Sequence, residues 1–222
     1  GIEYRSPVFA IHKNGHYGGI VGYGFDTMRE YAALVERAAR EGADFIKIMT
    51  TGLLDFRHNG HVTGTALPFA QVREMVHIAH EEGFAVMSHT NGDQAVQEAI
   101  ESGVDSIEHG NFITEKTVRM LADSPSIWVP TAVTVHNMIG DGRYEDSVLK
   151  RIWAITEENL QAAWERGTKV ALGSDAGAYC VLHGQGLVDE YHLFQAALGA
   201  GEKLDRWLTD NEKELKKRFR RG

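Results

Sequence analysis

Two histidines occupy matched positions in this sequence. His89 ends the short apolar run Phe84–Ser88, and His109 ends a second run, Val104–Glu108. The stretch between them has a helical pattern, with Ala95, Val96, Ala99 and Ile100 on one face and Gly103 where a left-handed cap is needed. Parallel strands joined by a helical crossover bring their carboxyl ends to the same edge of a sheet, so the pair should meet at one rim. That rim is where α/β folds keep their chemistry. Two more groups hold comparable places: Lys47 inside the run FIKIM at 45–49, and Asp175 just after Lys169–Leu172. Imidazole nitrogen and carboxylate oxygen are ordinary zinc ligands. An ammonium in an apolar strand is costly to desolvate, which favours the neutral amine. A neutral amine can take up carbon dioxide, and the resulting carbamate is a carboxylate able to bridge two metals. The plainer readings are satisfied histidines at strand ends and a lysine stem lying along its strand with the head in water. The matched pair tips the reading towards function.

The elements that would position these groups alternate along the chain. Val8–His12 reads as a strand, followed by a glycine-rich loop through Gly15, Gly18, Gly19, Gly22 and Gly24 that also carries His16. The loop does not fit GxGxxG feeding a helix, and no GK[ST] occurs, which excludes a nucleotide-binding loop. Thr27 and Glu30 form a capping box for a helix that buries Met28, Tyr31, Leu34, Val35 and Ala38. The strand at 45–49 leads into a long loop, Thr50–Leu67, with His58 and His61. Pro68 then opens a helix with Phe69, Val72, Met75, Val76 and Ala79 inside and His77 and His80 outside. Beyond His109 come a helix after Thr114, a strand at Ile127–Thr131 and a loop, Ala132–Glu145, with His136. A long helix, Asp146–Arg166, follows, then the strand Lys169–Leu172, a loop with His183 and two closing helices. This is strand followed by helix six times, with no hairpin signal and no linker, so one domain is expected over 1–222, with 200–222 a helical tail. The alternation allows a doubly wound sheet or a (β/α)8 barrel, and six units are two short of a closed barrel. Periodicity leaves both open.

Bulk properties narrow the function classes. The net charge of -8 over 222 residues argues against nucleic acid as a partner. The basic cluster Lys216–Arg221 suits a helix end, where cations offset the dipole. No apolar stretch reaches membrane-spanning length, so no membrane partner is expected. The chain begins at Gly1, so the lack of a leader carries little weight. A single cysteine, Cys180, rules out an intrachain disulfide and fits a reducing cytoplasm.

The order FIKIMTTG, MSHTNGDQA, IEHGNF, VALGSDAG resembles the metal-dependent amidohydrolase superfamily, most of all its prolidase, Xaa-dipeptidase and imidazolonepropionase-like branch. The likeness runs from the first strand to about Leu198. It implies a TIM-barrel (β/α)8 fold, present here as about six carboxyl-terminal units. It also implies Lys47 as the carboxylated bridge, His89 and His109 as ligands of one metal, and Asp175 as ligand of the other and catalytic base. The implied cofactors are two divalent metals, zinc foremost, and the carbon dioxide-derived carbamate on Lys47. The implied reaction is hydrolysis of a small amide, such as a dipeptide or N-acyl amino acid, by a metal-activated hydroxide. His16, His136 and His183, all on loops after strands, are candidates for holding the substrate.

The departures from the family pattern carry their own expectations. The family's first strand bears an HxH pair, and none occurs in these 222 residues. The first strand present resembles the family's third, so two β/α units would be missing from the amino end, and uncovered sheet edges would favour a homo-oligomer. His58 and His61 form an HxxH with glycine between them, which fits substrate contact or solvent better than metal. Rival readings are a lactonase, a mononuclear deaminase of the same superfamily, against which Lys47 argues, and a truncated non-catalytic binding domain.

Overall fold

The computed structural model describes residues 3–57 and 61–220. His58 and Arg221 lie outside the described residues. Six strands form one sheet in the order β2-β1-β3-β6-β7-β8. They are β1 (Ala10–Lys13), β2 (Gly22–Phe25), β3 (Ile46–Met49), β6 (Val86–Thr90), β7 (Ser106–His109) and β8 (Ile127–Val129). Every neighbouring pair in the sheet runs parallel.

Eight helices accompany the strands among the described residues. They are α1 (Met28–Arg40), α2 (Phe69–Glu81), α3 (Asp93–Glu101), α4 (Glu115–Asp123), α5 (Val133–His136), α6 (Asp146–Arg166), α7 (Gln185–Leu198) and α8 (Glu202–Arg218). The capping box of α1 is present, with the Thr27 side chain accepting from the Glu30 amide and the Glu30 carboxylate accepting from the Thr27 amide. Gly167 adopts the left-handed conformation that stops α6.

Alternation of side chains gives the sheet two faces. Ile11, Ile46, Ile48, Val86, Ile107, Trp128 and Val170 point one way and pack with the helices in the main core. The helices touch in sequence, α1 on α2, α2 on α3, α3 on α4, α4 on α6 and α6 on α7, which makes a single layer. A doubly wound fold would divide them between both faces, so the barrel-type alternative holds. The opposite face carries Lys47, Met49, Met87, His89, Ser106 and Glu108, placed by the registers Lys47↔Met87↔Ser106 and Met49↔His89↔Glu108. Helix α8 starts in the helical layer with Leu204 and Leu208 and ends below the amino ends of the strands. There Asn211 donates to the Val170 carbonyl, Arg218 to the Asp105 and Pro125 carbonyls, and Phe219 meets Phe45 edge-on.

Four expectations are corrected. The glycine-rich loop contains a strand, β2, because glycine lets the backbones close: a Cβ on Gly22 would stand 1.7 Å from the Ala10 carbonyl oxygen. Glycine has low strand propensity, so the sequence hides the strand. The expected strand Lys169–Leu172 shrinks to one parallel bridge, Trp128↔Val170. It cannot extend along β8 because Pro130 has no N–H to offer. The loop after β3 holds a small antiparallel hairpin, β4 (Leu54–Asp55) with β5 (His61–Val62), although the sequence carries no hairpin signal there. The loop after β8 begins with the short helix α5.

Gly110 joins the fold to the site. Its φ is +60°, and an added Cβ would stand 2.7 Å from Trp128 Nε1, which donates to the His109 carbonyl. Gly110→Ala should therefore lower stability by about 1–3 kcal/mol through overpacking and backbone strain. Urea unfolding measures this, and an unchanged midpoint would show that Trp128 yields without cost.

Candidate active site

The two histidines meet. His89 in β6 and His109 at the end of β7 have ring centroids 4.7 Å apart, edge to face. Each has one nitrogen already engaged. His89 Nε2 lies 2.9 Å from the Gly52 carbonyl oxygen. A carbonyl only accepts, so Nε2 carries the proton and Nδ1 keeps its lone pair. His109 Nδ1 lies 2.6 Å from Thr131 Oγ1, and that hydroxyl donates its own proton to the Pro130 carbonyl at 2.7 Å. The hydroxyl therefore accepts from Nδ1–H, and the His109 lone pair sits on Nε2.

Burial keeps both rings neutral. It pushes His89 down to about 3, helped by the charges of His109 and Lys47 and opposed by the Gly52 hydrogen bond and Asp175. It pushes His109 down to about 3 as well, helped by Lys47. Below them Lys47 is held low by desolvation, against the pull of Glu108 and Asp175. Glu108 is buried and takes a 2.6 Å hydrogen bond from Ser106 Oγ. Burial raises its carboxyl, while Lys47 and the Ser106 bond oppose the shift.

Asp175 is exposed and has φ +51°, on the turn after Gly173 and Ser174. Its carboxylate is within electrostatic reach of Lys47, His89, Glu108 and Tyr17. Among the described residues no group of three or more His, Cys, Asp and Glu side chains is disposed to hold a metal ion. A metal set here would have to include Lys47. The donors nevertheless suit a divalent cation. Two neutral imidazoles present free lone pairs, and each second nitrogen donates to an oxygen, as ligating histidines ordinarily do.

Hydrogen bonds across the strand ends hold this arrangement. Thr50 Oγ1 donates to the His89 carbonyl at 3.0 Å, and the Asn91 amide donates to Thr51 Oγ1 at 3.0 Å. Asn91 Oδ1 in turn accepts from the Asn111 amide and side chain. The MSHTNG and IEHGN segments are thus tied to each other and to the TTG after β3.

The remaining candidates divide. His16 lines a cavity of about 580 Å³ with Lys13, Tyr17, Gly52, Thr65 and Gln71. Gly52 also takes the His89 hydrogen bond, so cavity and histidine pair share a wall. His136 lies in α5 with its ring edge-on to Trp153 of α6, and its charged neighbour is Glu157. His183 is exposed beside Gly177. His61 is exposed in β5. Sequence reasoning missed Tyr17, whose ring stands 4.9 Å from that of His89 and whose phenol is pushed up by burial and then by Asp175. It also missed Glu108 and Thr131. Glu108 was legible as a carboxylate at a strand position facing Lys47. Tyr17 and Thr131 had no signal beyond their types.

Comparison with known proteins bears on the fold and the family. The chain is 30% identical over 151 residues to an uncharacterised protein of Mycobacterium tuberculosis (strain ATCC 25618 / H37Rv), a match covering 62% of this chain and 40% of that protein. An uncharacterised protein of Mycobacterium bovis (strain ATCC BAA-935 / AF2122/97) matches to the same extent. Among solved structures, a Xaa-Pro dipeptidase with bound methionine in its active site superposes with a TM-score of 0.64 at 22% identity, over 95% of this chain and 52% of that one. The A. niger ochratoxinase gives 0.70 at 19% identity, over 87% of this chain and 44% of that one. These structures share the fold, and this chain spans about half their length or less. The family model for the amidohydrolase family matches residues 6–208, and the chain belongs to that family.

Proposed function

We propose that this chain carries the active site of a metal-dependent hydrolase that cleaves small amides, with Lys47, His89, His109 and Asp175 as its metal-binding groups. The observation that carries the reading is the pair of neutral imidazoles, each with one nitrogen tied and one lone pair free, above a desolvated lysine. A divalent ion, zinc foremost, would supply Lewis acidity and a water that ionises near neutral pH. His89 would offer Nδ1 and His109 Nε2. Lys47, favoured as the neutral amine, would attack carbon dioxide through Nζ and release a proton, leaving a carbamate. Asp175 would take the proton of the attacking water and deliver it to the leaving nitrogen.

His16 and Tyr17 on the cavity wall would contact the substrate, a dipeptide or N-acyl amino acid being of suitable size. The dipeptidase among the structural neighbours supports that substrate class. A homo-oligomer is supported by Ile20, Val21 and Tyr23, which are exposed at the β2 edge of the sheet. The single cysteine, Cys180, supports a cytoplasmic setting.

Two measurements test the site. The chain should hold at most about one zinc tightly, since the carbamate and two histidines make three ligands of an open site. Lys47→Ala should lose that zinc, together with any dipeptide hydrolysis, and Lys47→Arg should not restore it because guanidinium stays charged. Metal analysis of the purified proteins decides, and full zinc in the Arg variant would refute Lys47 as a ligand.

The second measurement concerns protonation. A histidine whose folded pKa is depressed stays neutral as pH falls through the ordinary value near 6.5 and gains its proton only near the lowered one. The imidazole nitrogens of His89 and His109 in metal-free protein should therefore show no titration from pH 8 down to pH 5 by NMR. A midpoint near 6.5 for either ring would remove it from the donor pair.

A further inference from the structure

We propose that Glu190 is a positioning residue for the candidate site, fixing through Thr131 which ring nitrogen His109 presents. The inference rests on the reading of His109 given above. Glu190 sits in the middle of α7 and is fully buried. An unpartnered carboxylate could not remain there, because desolvating it costs too much. Its partners come from far along the chain: Oε1 accepts from the Ala132 amide at 3.1 Å and Oε2 from the Val133 amide at 2.8 Å. Burial pushes the carboxyl up to about 8, and the Val133, Ala132 and Thr131 amides pull against that shift.

These amides open α5, a helix of four residues with no side-chain cap of its own. Glu190 therefore does from α7 what an N-cap side chain would do locally. The residue just before is Thr131, with φ +50°. A β-branched residue rarely holds that conformation, and such strain persists only where the surroundings over-determine it. The Thr131 carbonyl is held by the Thr134 amide and hydroxyl at 3.0 and 2.8 Å. The two oxygens of the Glu190 carboxyl group hold the amides that follow. Thr131 Oγ1 is thereby placed to donate to the Pro130 carbonyl and accept from His109 Nδ1–H. A relaxed Thr131 would swing the hydroxyl away, and nothing else described would tie the His109 proton to Nδ1. Glu190 makes no hydrogen bond to His89, whose proton is tied to the Gly52 carbonyl instead.

The test reads the tautomers of both histidines in the nitrogen-15-labelled, metal-free chain by long-range proton–nitrogen NMR. The unmodified protein should show His109 protonated on Nδ1 and His89 on Nε2. In Glu190→Ala the His109 preference should fall about fivefold, the factor carried by one neutral hydrogen bond, while His89 is unchanged. Glu190→Gln keeps the volume but turns an N–H₂ towards a backbone amide, so it should shift His109 in the same direction; it decides the matter alone if the Ala variant does not fold. Thr131→Val should abolish the preference, and adding Glu190→Ala to it should change nothing more, since the effect passes through that hydroxyl. A His109 tautomer unmoved in the folded Glu190 variants would overturn the proposal, as would His89 shifting alongside it. Zinc binding by the unmodified chain is a separate measurement. Its failure would sink the metal-site reading and leave the tautomer result intact.

Discussion

The register of the parallel sheet is the constraint on which everything else depends. Side chains alternate between faces, so the pairing that sends Ile46, Ile48, Val86 and Ile107 into the helical layer also sends Lys47, His89 and Glu108 to the other side. A slip of one residue in any strand would exchange the two sets, putting charge into the core and aliphatic groups into the cleft. The helix-facing core is continuous and apolar enough to forbid that slip. The chemistry of the opposite face is therefore secured by packing it takes no part in.

Placing polar groups on an enclosed face is costly, and the structure offsets the cost with hydrogen bonds between strand ends. Gly52, Asn91, Asn111 and Thr131 each engage a group on a neighbouring strand. The same bonds select tautomers, because a carbonyl or an already committed hydroxyl can only accept. Desolvation and hydrogen bonding thus act together: one keeps the imidazoles neutral and the other decides where the lone pairs point. His109, Thr131 and Asp175 all hold positive φ, and all three lie at the carboxyl rim. At these three positions the strained backbone aims a side chain towards the site.

The chain belongs to the amidohydrolase family and spans about half the length of the solved structures it matches. The six strands described do not close on themselves. β2 stands at one edge, and beyond β8 only the bridge at Val170 continues the sheet. Helix α8 passes below the amino ends of the strands and packs Leu215 against Ile127, Val129 and Ala171. That contact covers apolar surface at the end away from the candidate site.

The sequence by itself determined the longer helices, most of the strands and the family. Helical periodicity, the Thr27 capping box and Gly167 are local signals, and local signals survive without tertiary context. It also placed His89 and His109 at one rim, because a helical crossover between parallel strands leaves no other geometry. By periodicity alone it could not distinguish a doubly wound sheet from a barrel, since both have the same alternation; the family motifs implied the barrel, and the single helical layer agrees with it. It hid β2, whose glycines are poor strand formers until a neighbouring backbone approaches them. It overextended the strand at Lys169–Leu172, because pairing there depends on Pro130, just beyond the end of β8. Tyr17, Thr131 and Glu190 were invisible for the same reason. Each acts across a long sequence separation, and what a side chain touches over such a span is set by packing that no local pattern encodes.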